Sequence, residues 1–146
     1  MSVASITELV VKVLLYAVDS IGLYKLYTKL NEKGWIAFIP FYNEIVMFKN
    51  VYNVKAFWIY TICDLLCAIA LGFEGTVAAI IAIALAVVVV VYQVKYAKNF
   101  AAAFGQGKGF AVLTFLAPAA VYLYCGFSNK VAYIGNKSEA AAEKEL

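Results

Sequence analysis

Two carboxylates interrupt otherwise apolar runs: Asp19 in LLYAVDSIGLY and Asp64 in IYTICDLLCAIAL. An acidic side chain at the centre of a membrane-spanning helix costs roughly 2.5–3.5 kcal/mol on insertion scales, so it faces protein or water rather than lipid. Two of them at similar depth are the residue type for a cation or proton site. The plainer alternative is that each caps a broken helix or hydrogen-bonds a Tyr, Thr or Asn inside a bundle. A second polar pair, Asn43 and Glu44, follows directly on the break at Pro40. Such residues either line a cavity or satisfy loose backbone groups at a helix start, and capping is their commoner use.

Other chemistry is harder to build. The chain has no histidine, which removes the commonest metal ligand and general base. Cys63 and Cys67 share a helical face with Asp64 close by, yet the third and fourth ligands of a metal site are missing, so packing is the better account. Cys125 also lies in an apolar run, where a free thiol behaves as a small hydrophobe. GQGKG at 105–109 imitates a phosphate loop, but no strand precedes it and the Walker spacing is absent. No catalytic, cofactor-binding or metal-binding residue is therefore expected, and no cofactor. All 12 basic residues are lysines and the net charge is only +3. No dense basic stripe suggests nucleic acid, and point-charge lysines suit lipid headgroups better than a ligand needing a bidentate fork.

The elements that must position these residues are read from hydropathy. The 146 residues are 65% hydrophobic and 14% charged, against roughly 25% charged in soluble domains. The pattern predicts an all-α polytopic membrane protein with four transmembrane helices, at about 6–26, 57–71, 76–94 and 109–127. A proline-broken segment at 35–50, GWIAFIPFYNEIVMFKNV in context, is expected to be re-entrant or interfacial, because Pro40 removes a backbone donor and disfavours helix at Ile39. Pro118 should kink the fourth span, and KYAKNFAAAF after the third should continue as an amphipathic surface helix. One membrane domain covers 1–135, with a polar tail at 136–146.

On helical spacing, Asp19 and Asp64 each fall about 10 Å from the lysine-rich end of their spans and could share a layer. Trp35, Trp58, Tyr60, Tyr122 and Tyr124 are expected as interface anchors. Ala78, Ala82 and Ala86 form a small-residue stripe on which another helix can pack closely. Lysines concentrate in the 27–56 and 95–108 connections, so the positive-inside rule places these in the cytoplasm and both termini outside the cell membrane.

Three motifs in order, GWIAFIPFYN at 34–43, FGQGKGFAVLTFLAP at 104–118 and GFSNKVAYIG at 126–135, resemble an uncharacterised family of small multi-pass bacterial membrane domains. These are found alone and fused ahead of type I signal peptidases. The similarity spans roughly residues 20–135 and implies fold and location. It implies no peptidase activity here, since no serine and lysine dyad is credible. Residues and resemblance together lead to a non-enzymatic integral membrane protein with a structural, assembly or auxiliary role. Its partners would be membrane lipids and either a second copy through the Ala82 stripe or another membrane protein. The alternative is a small ion or proton channel or transporter using Asp19 and Asp64. A membrane enzyme acting on lipid ranks third.

Overall fold

The structure is a computed structural model that describes residues 3–138; the polar tail from 139 onward, with Lys144, lies outside the described residues. Among those residues the fold is all-helical. Helix α1 is Val3–Lys29, a 3-10 turn is Gly34–Phe38, and α2 is Tyr42–Val51. The long pair α3 (Val54–Leu71) and α4 (Thr76–Ala103) follows, then the short pair α5 (Lys108–Leu116) and α6 (Pro118–Phe127).

Helices α3 and α4 are long and apolar enough to cross a membrane. At 1.5 Å per residue they reach about 27 Å and 42 Å. They form an antiparallel hairpin joined at Gly72–Gly75, with Gly75 at φ 123°. Cys67 on α3 donates from Sγ to the Ala82 carbonyl on α4 at 3.4 Å. The α4 small-residue stripe therefore packs against α3 of the same chain: Ala82 is buried, and Ala78 and Ala86 beside it are half-buried. The lysine-bearing stretch after Val94 continues the third span without a break as the C-terminal part of α4, but Ala97, Phe100, Ala101 and Ala103 in it are buried rather than at the surface. Helix α1 is long enough to cross as well, but no 18-residue stretch of it holds fewer than three charged side chains. Its residues 3–18 are all exposed, the Tyr16 hydroxyl reaching the Phe38 carbonyl at 3.5 Å, and burial begins only at Asp19 and Ser20.

The two shorter pieces both leave and return to one end of the bundle. The segment at 35–50, expected as re-entrant or interfacial, follows Asn31, which lies two residues past the end of α1 and takes the left-handed conformation (φ 60°) while Glu32 N–H donates back to the Tyr27 carbonyl. Asparagine tolerates that conformation at a helix C-terminus. Gly34 then lies against the Tyr24 ring so closely that a side chain would collide with it. At the tip Phe41 has φ 70° and ψ −52°, and Tyr42 N–H donates to the Pro40 carbonyl at 2.8 Å. That is the strained form of γ-turn. Helix α2 climbs back, and Asn50 Nδ2 donates to Glu32 at 3.1 Å, closing the loop at its base.

The stretch expected as a fourth span, 109–127, is not one continuous helix but two short ones that fold back on each other. Pro118 excludes Ala117 from helix (φ −143°, ψ 65°) and starts α6 as its first residue, so a reversal replaces the expected kink. Collinear helices would hold residues 110 and 124 about 21 Å apart. Instead the Phe110 and Tyr124 rings lie 6.4 Å apart, and Ile134 N–H donates to the Ala103 carbonyl at 2.8 Å. A proline is compatible with either shape, and only this long-range closure separates them. Residues 128–138 consequently sit at the same end as the 29–33, 49–55 and 95–108 connections.

That end holds the core, in which Leu26, Tyr27, Val51, Phe100, Phe104 and Cys125 are almost fully buried. Helix α6 reaches it by lying directly on α1, where Gly126 faces the Gly22 carbonyl and a β-carbon at 126 would strike that backbone oxygen. Gly126→Ala should therefore destabilise the chain by about 1–3 kcal/mol, the usual cost of overpacking. Gly109, inside α5 with nothing within 4 Å of an added β-carbon, should respond oppositely, gaining up to about 1 kcal/mol as alanine. Unfolding of the two variants in detergent, followed by circular dichroism, checks the opposite signs.

Candidate functional site

Between the tips of the two returning hairpins lies a cavity of about 340 Å³. Every helix contributes to its wall: Leu23 and Tyr27 from α1, Asn43, Glu44, Met47 and Phe48 from α2, Tyr60 from α3, and Gln93 and Tyr96 from α4. Thr114 and Phe115 from α5 and Pro118 and Tyr122 from α6 complete it. Tyr60 lies six residues and Gln93 ten residues along their helices from the core end. The cavity is thus roughly 10–15 Å deep.

Most of its polar groups satisfy one another. The Tyr96 and Tyr122 hydroxyls lie 2.8 Å apart, and Gln93 Nε2 donates to the Tyr60 hydroxyl at 3.3 Å. The Tyr27 hydroxyl donates to the Asn43 carbonyl, while Thr114 bonds the Phe110 carbonyl one turn back at 2.9 Å. Asn43 Nδ2 donates to the Ala37 carbonyl at 3.3 Å. This amide serves the end of the 3-10 turn rather than the start of α2, whose first turn receives no side-chain cap. Phe48 stacks between Tyr96, at 4.5 Å, and Tyr60, at 6.0 Å. Glu44 differs from all of these: it lines the cavity while remaining exposed, and among the described residues nothing hydrogen-bonds or ion-pairs with it. Asp64 stands near enough for its charge to act on Glu44, and two carboxylates repel.

The structure thus brings Asn43 and Glu44 into a cavity wall and does not bring Asp19 and Asp64 there. Asp19 is half-buried on α1 and Asp64 exposed on α3; neither lines the cavity. Of the expected interface anchors, Trp35, Trp58 and Tyr124 stay about half exposed on the outside, whereas Tyr60 and Tyr122 belong to the cavity. Sequence reasoning missed Tyr27, Gln93, Tyr96 and Thr114. The available signal was Gln93, an amide with no charged neighbour on the aliphatic side of its helix, followed one turn later by Tyr96. Among the described residues no three Cys, Asp or Glu side chains are grouped to hold a metal ion.

A helical bundle with two membrane-length helices, two short hairpins that turn back to one end, and a largely apolar, tyrosine-lined cavity where their tips meet is the class this architecture defines. The sequence pattern of a family of unknown function (DUF5684) matches residues 35–136, and the chain belongs to that family. The match begins at the first hairpin and ends at the strap that closes the second, leaving α1 outside. No curated protein and no solved structure matches the chain.

The paired hydroxyls give a direct test of the cavity wall. Tyr96→Phe and Tyr122→Phe should each destabilise by about 1 kcal/mol or more, because each orphans a partner inside the bundle. The double variant should cost less than the sum of the two. A denaturant series in detergent on all three variants checks this.

Proposed function

We propose that this chain is a non-enzymatic integral membrane protein that binds a small organic cation in the cavity between its two returning hairpins. In this reading α1, α3 and α4 cross the membrane and the hairpins enter and come back. The projecting halves of α3 and α4 support the placement. Leu65, Leu71, Val77 and Ile83 are 60%, 72%, 71% and 65% exposed, an aliphatic surface far too extensive to leave in water. Both hairpin tips, residues 38–42 and 115–120, are exposed, and non-helical backbone at that depth is tolerated only against protein or a water-filled cavity, so in this reading the tips face water or a covering partner. All connections at the core end carry lysine, among them Lys33, Lys49, Lys55, Lys98, Lys108 and Lys130. On the positive-inside rule that end is cytoplasmic. With an odd number of crossings, the N-terminal end of α1 is outside and residues 128–138 are inside, in place of two external termini. Single cysteines at 33, 108 and 130, in a background free of native cysteines, should all react with a membrane-impermeant maleimide from the same face, and one at Val3 from the other. Labelling of 108 and 130 from opposite faces would restore a fourth crossing.

The cation reading rests on one observation: Glu44, an exposed carboxylate with no partner among the described residues, lines one cavity with Tyr27, Tyr60, Tyr96 and Tyr122 and with Phe48 and Phe115. Aromatic rings around an anion form the surroundings that recognise quaternary ammonium groups, each ring worth about 0.5–2 kcal/mol. Glu44 takes the role expected of Asp19 and Asp64, which supports the channel or transporter alternative in altered form. Self-association through Ala82 has less support, since α3 already covers that residue. Calorimetry on the purified chain should show choline binding, with its neutral isostere 3,3-dimethylbutanol much weaker. Glu44→Gln should weaken choline at least tenfold, about 1.4 kcal/mol. Equal binding of the isostere, or an unchanged Glu44→Gln variant, would reject the reading.

A further inference from the structure

A second concavity lies outside that cavity's polar wall, on the outer side of the second hairpin. Between the core-end half of α4 and the whole of α5 runs a groove of about 700 Å³. Its floor is made of small buried residues, Ala97 and Ala111, and its deeper wall of Val112 and Phe115, which are 56% and 39% exposed. Lys98 and Lys108 line the end nearest the lysine-bearing rim; both are exposed, and neither is ion-paired among the described residues. Helix α5 starts at that same end. Its N-cap is Gly107, no side chain caps it, and its first turn has no carboxylate. The free N–H groups and the positive end of the helix dipole are thus left at the groove mouth beside the two lysines.

We propose that this groove holds an anionic phospholipid, with the phosphate between Lys98, Lys108 and the start of α5 and an acyl chain lying along Val112 and Phe115. Two features of different kind point to one ligand. The apolar trough runs from the rim toward membrane depth, the direction of a lipid chain. The mouth is cationic through side chains and backbone alike, as basic pockets between helices on the cytoplasmic side are when they hold acidic headgroups. A choline headgroup would set its own cation against both lysines, and free phosphate would leave the trough uncovered. The inference rests on the membrane placement above but not on the Glu44 cavity, and each can fail without the other.

The test is native mass spectrometry of the full chain in detergent, titrated with palmitoyl-oleoyl phosphatidylglycerol or the matching phosphatidylcholine. Phosphatidylglycerol should be preferred, and Lys98→Gln with Lys108→Gln should weaken it about thirtyfold, the loss expected for two surface lysines. Val112→Trp, which fills the trough and keeps both charges, should weaken it too, and excess inorganic phosphate should not displace it. Equal binding of the two lipids overturns the proposal, as does full retention by the double lysine variant or by Val112→Trp. Displacement by inorganic phosphate would instead identify a site for the free anion. Both lysines are exposed, so an unaltered melting temperature of the double variant separates lost lipid contact from lost fold. Choline calorimetry on that variant scores the Glu44 cavity independently.

Discussion

The Lys29 ammonium joins the first helix to the end of the last one. Its Nζ donates to the carbonyls of Cys125, Ser128 and Val131, which are the C-terminal carbonyls of α6 and of the chain just beyond it. The last carbonyls of a helix have no intrahelical partner, and a cation there also meets the negative end of the helix dipole. Hydrogen bonds to a charged group contribute about 1.5–3 kcal/mol each at best, offset by the cost of drawing an ammonium out of water. Without such a group α6 would end against α1 with its carbonyls unmet, at the place where Gly22 and Gly126 press the two backbones together. The second hairpin can return because a lysine is waiting where it lands.

The strap that follows does the same for the first hairpin. Asn136 donates to the Lys49 and Tyr52 carbonyls and Tyr133 to the Asn50 carbonyl, so residues 133–136 cap the end of α2. One short irregular stretch thereby closes both hairpins and fixes their separation. Since the cavity is the gap between their tips, its width depends on contacts made 10–15 Å away at the rim. The family match runs through this strap and stops there, which fits a unit made of two hairpins, the α3 and α4 pair and their common clasp.

What was legible in the sequence was mostly local. The α3 and α4 hairpin follows from aliphatic runs and the Gly72–Gly75 turn, and the returning segment at 35–50 from a proline amid aromatics. The second hairpin was not legible, because 109–127 has the length of a crossing and one central proline, as a kinked span would. Its reversal is fixed by partners far away in sequence: Ala103 with Ile134, and Lys29 with the end of α6. Similar reasons explain where the expected residues and the cavity lining differ. Asp19 and Asp64 stood out because charge in an apolar run is conspicuous. Tyr60 and Tyr122 passed for interface anchors because a tyrosine near a span end looks the same whether its hydroxyl meets water or another tyrosine.

The two hairpin tips are built differently, and that bears on how the cavity can respond to an occupant. The second turns at Ala117–Pro118, where a proline begins a helix in the position that suits it best. The first turns at Phe41, a bulky residue held at φ 70° in a γ-turn that costs of order 1–3 kcal/mol unless its surroundings enforce it. Glu44 stands three residues after that strained turn, in the first turn of α2, exposed and with no partner among the described residues, while the tyrosines opposite are bonded to each other, to Gln93 or to backbone. Strain and unspent charge therefore meet on the same hairpin. A cation held by Glu44 would press on the wall that carries the strained turn, whereas α5 and α6 meet the cavity through an unstrained one.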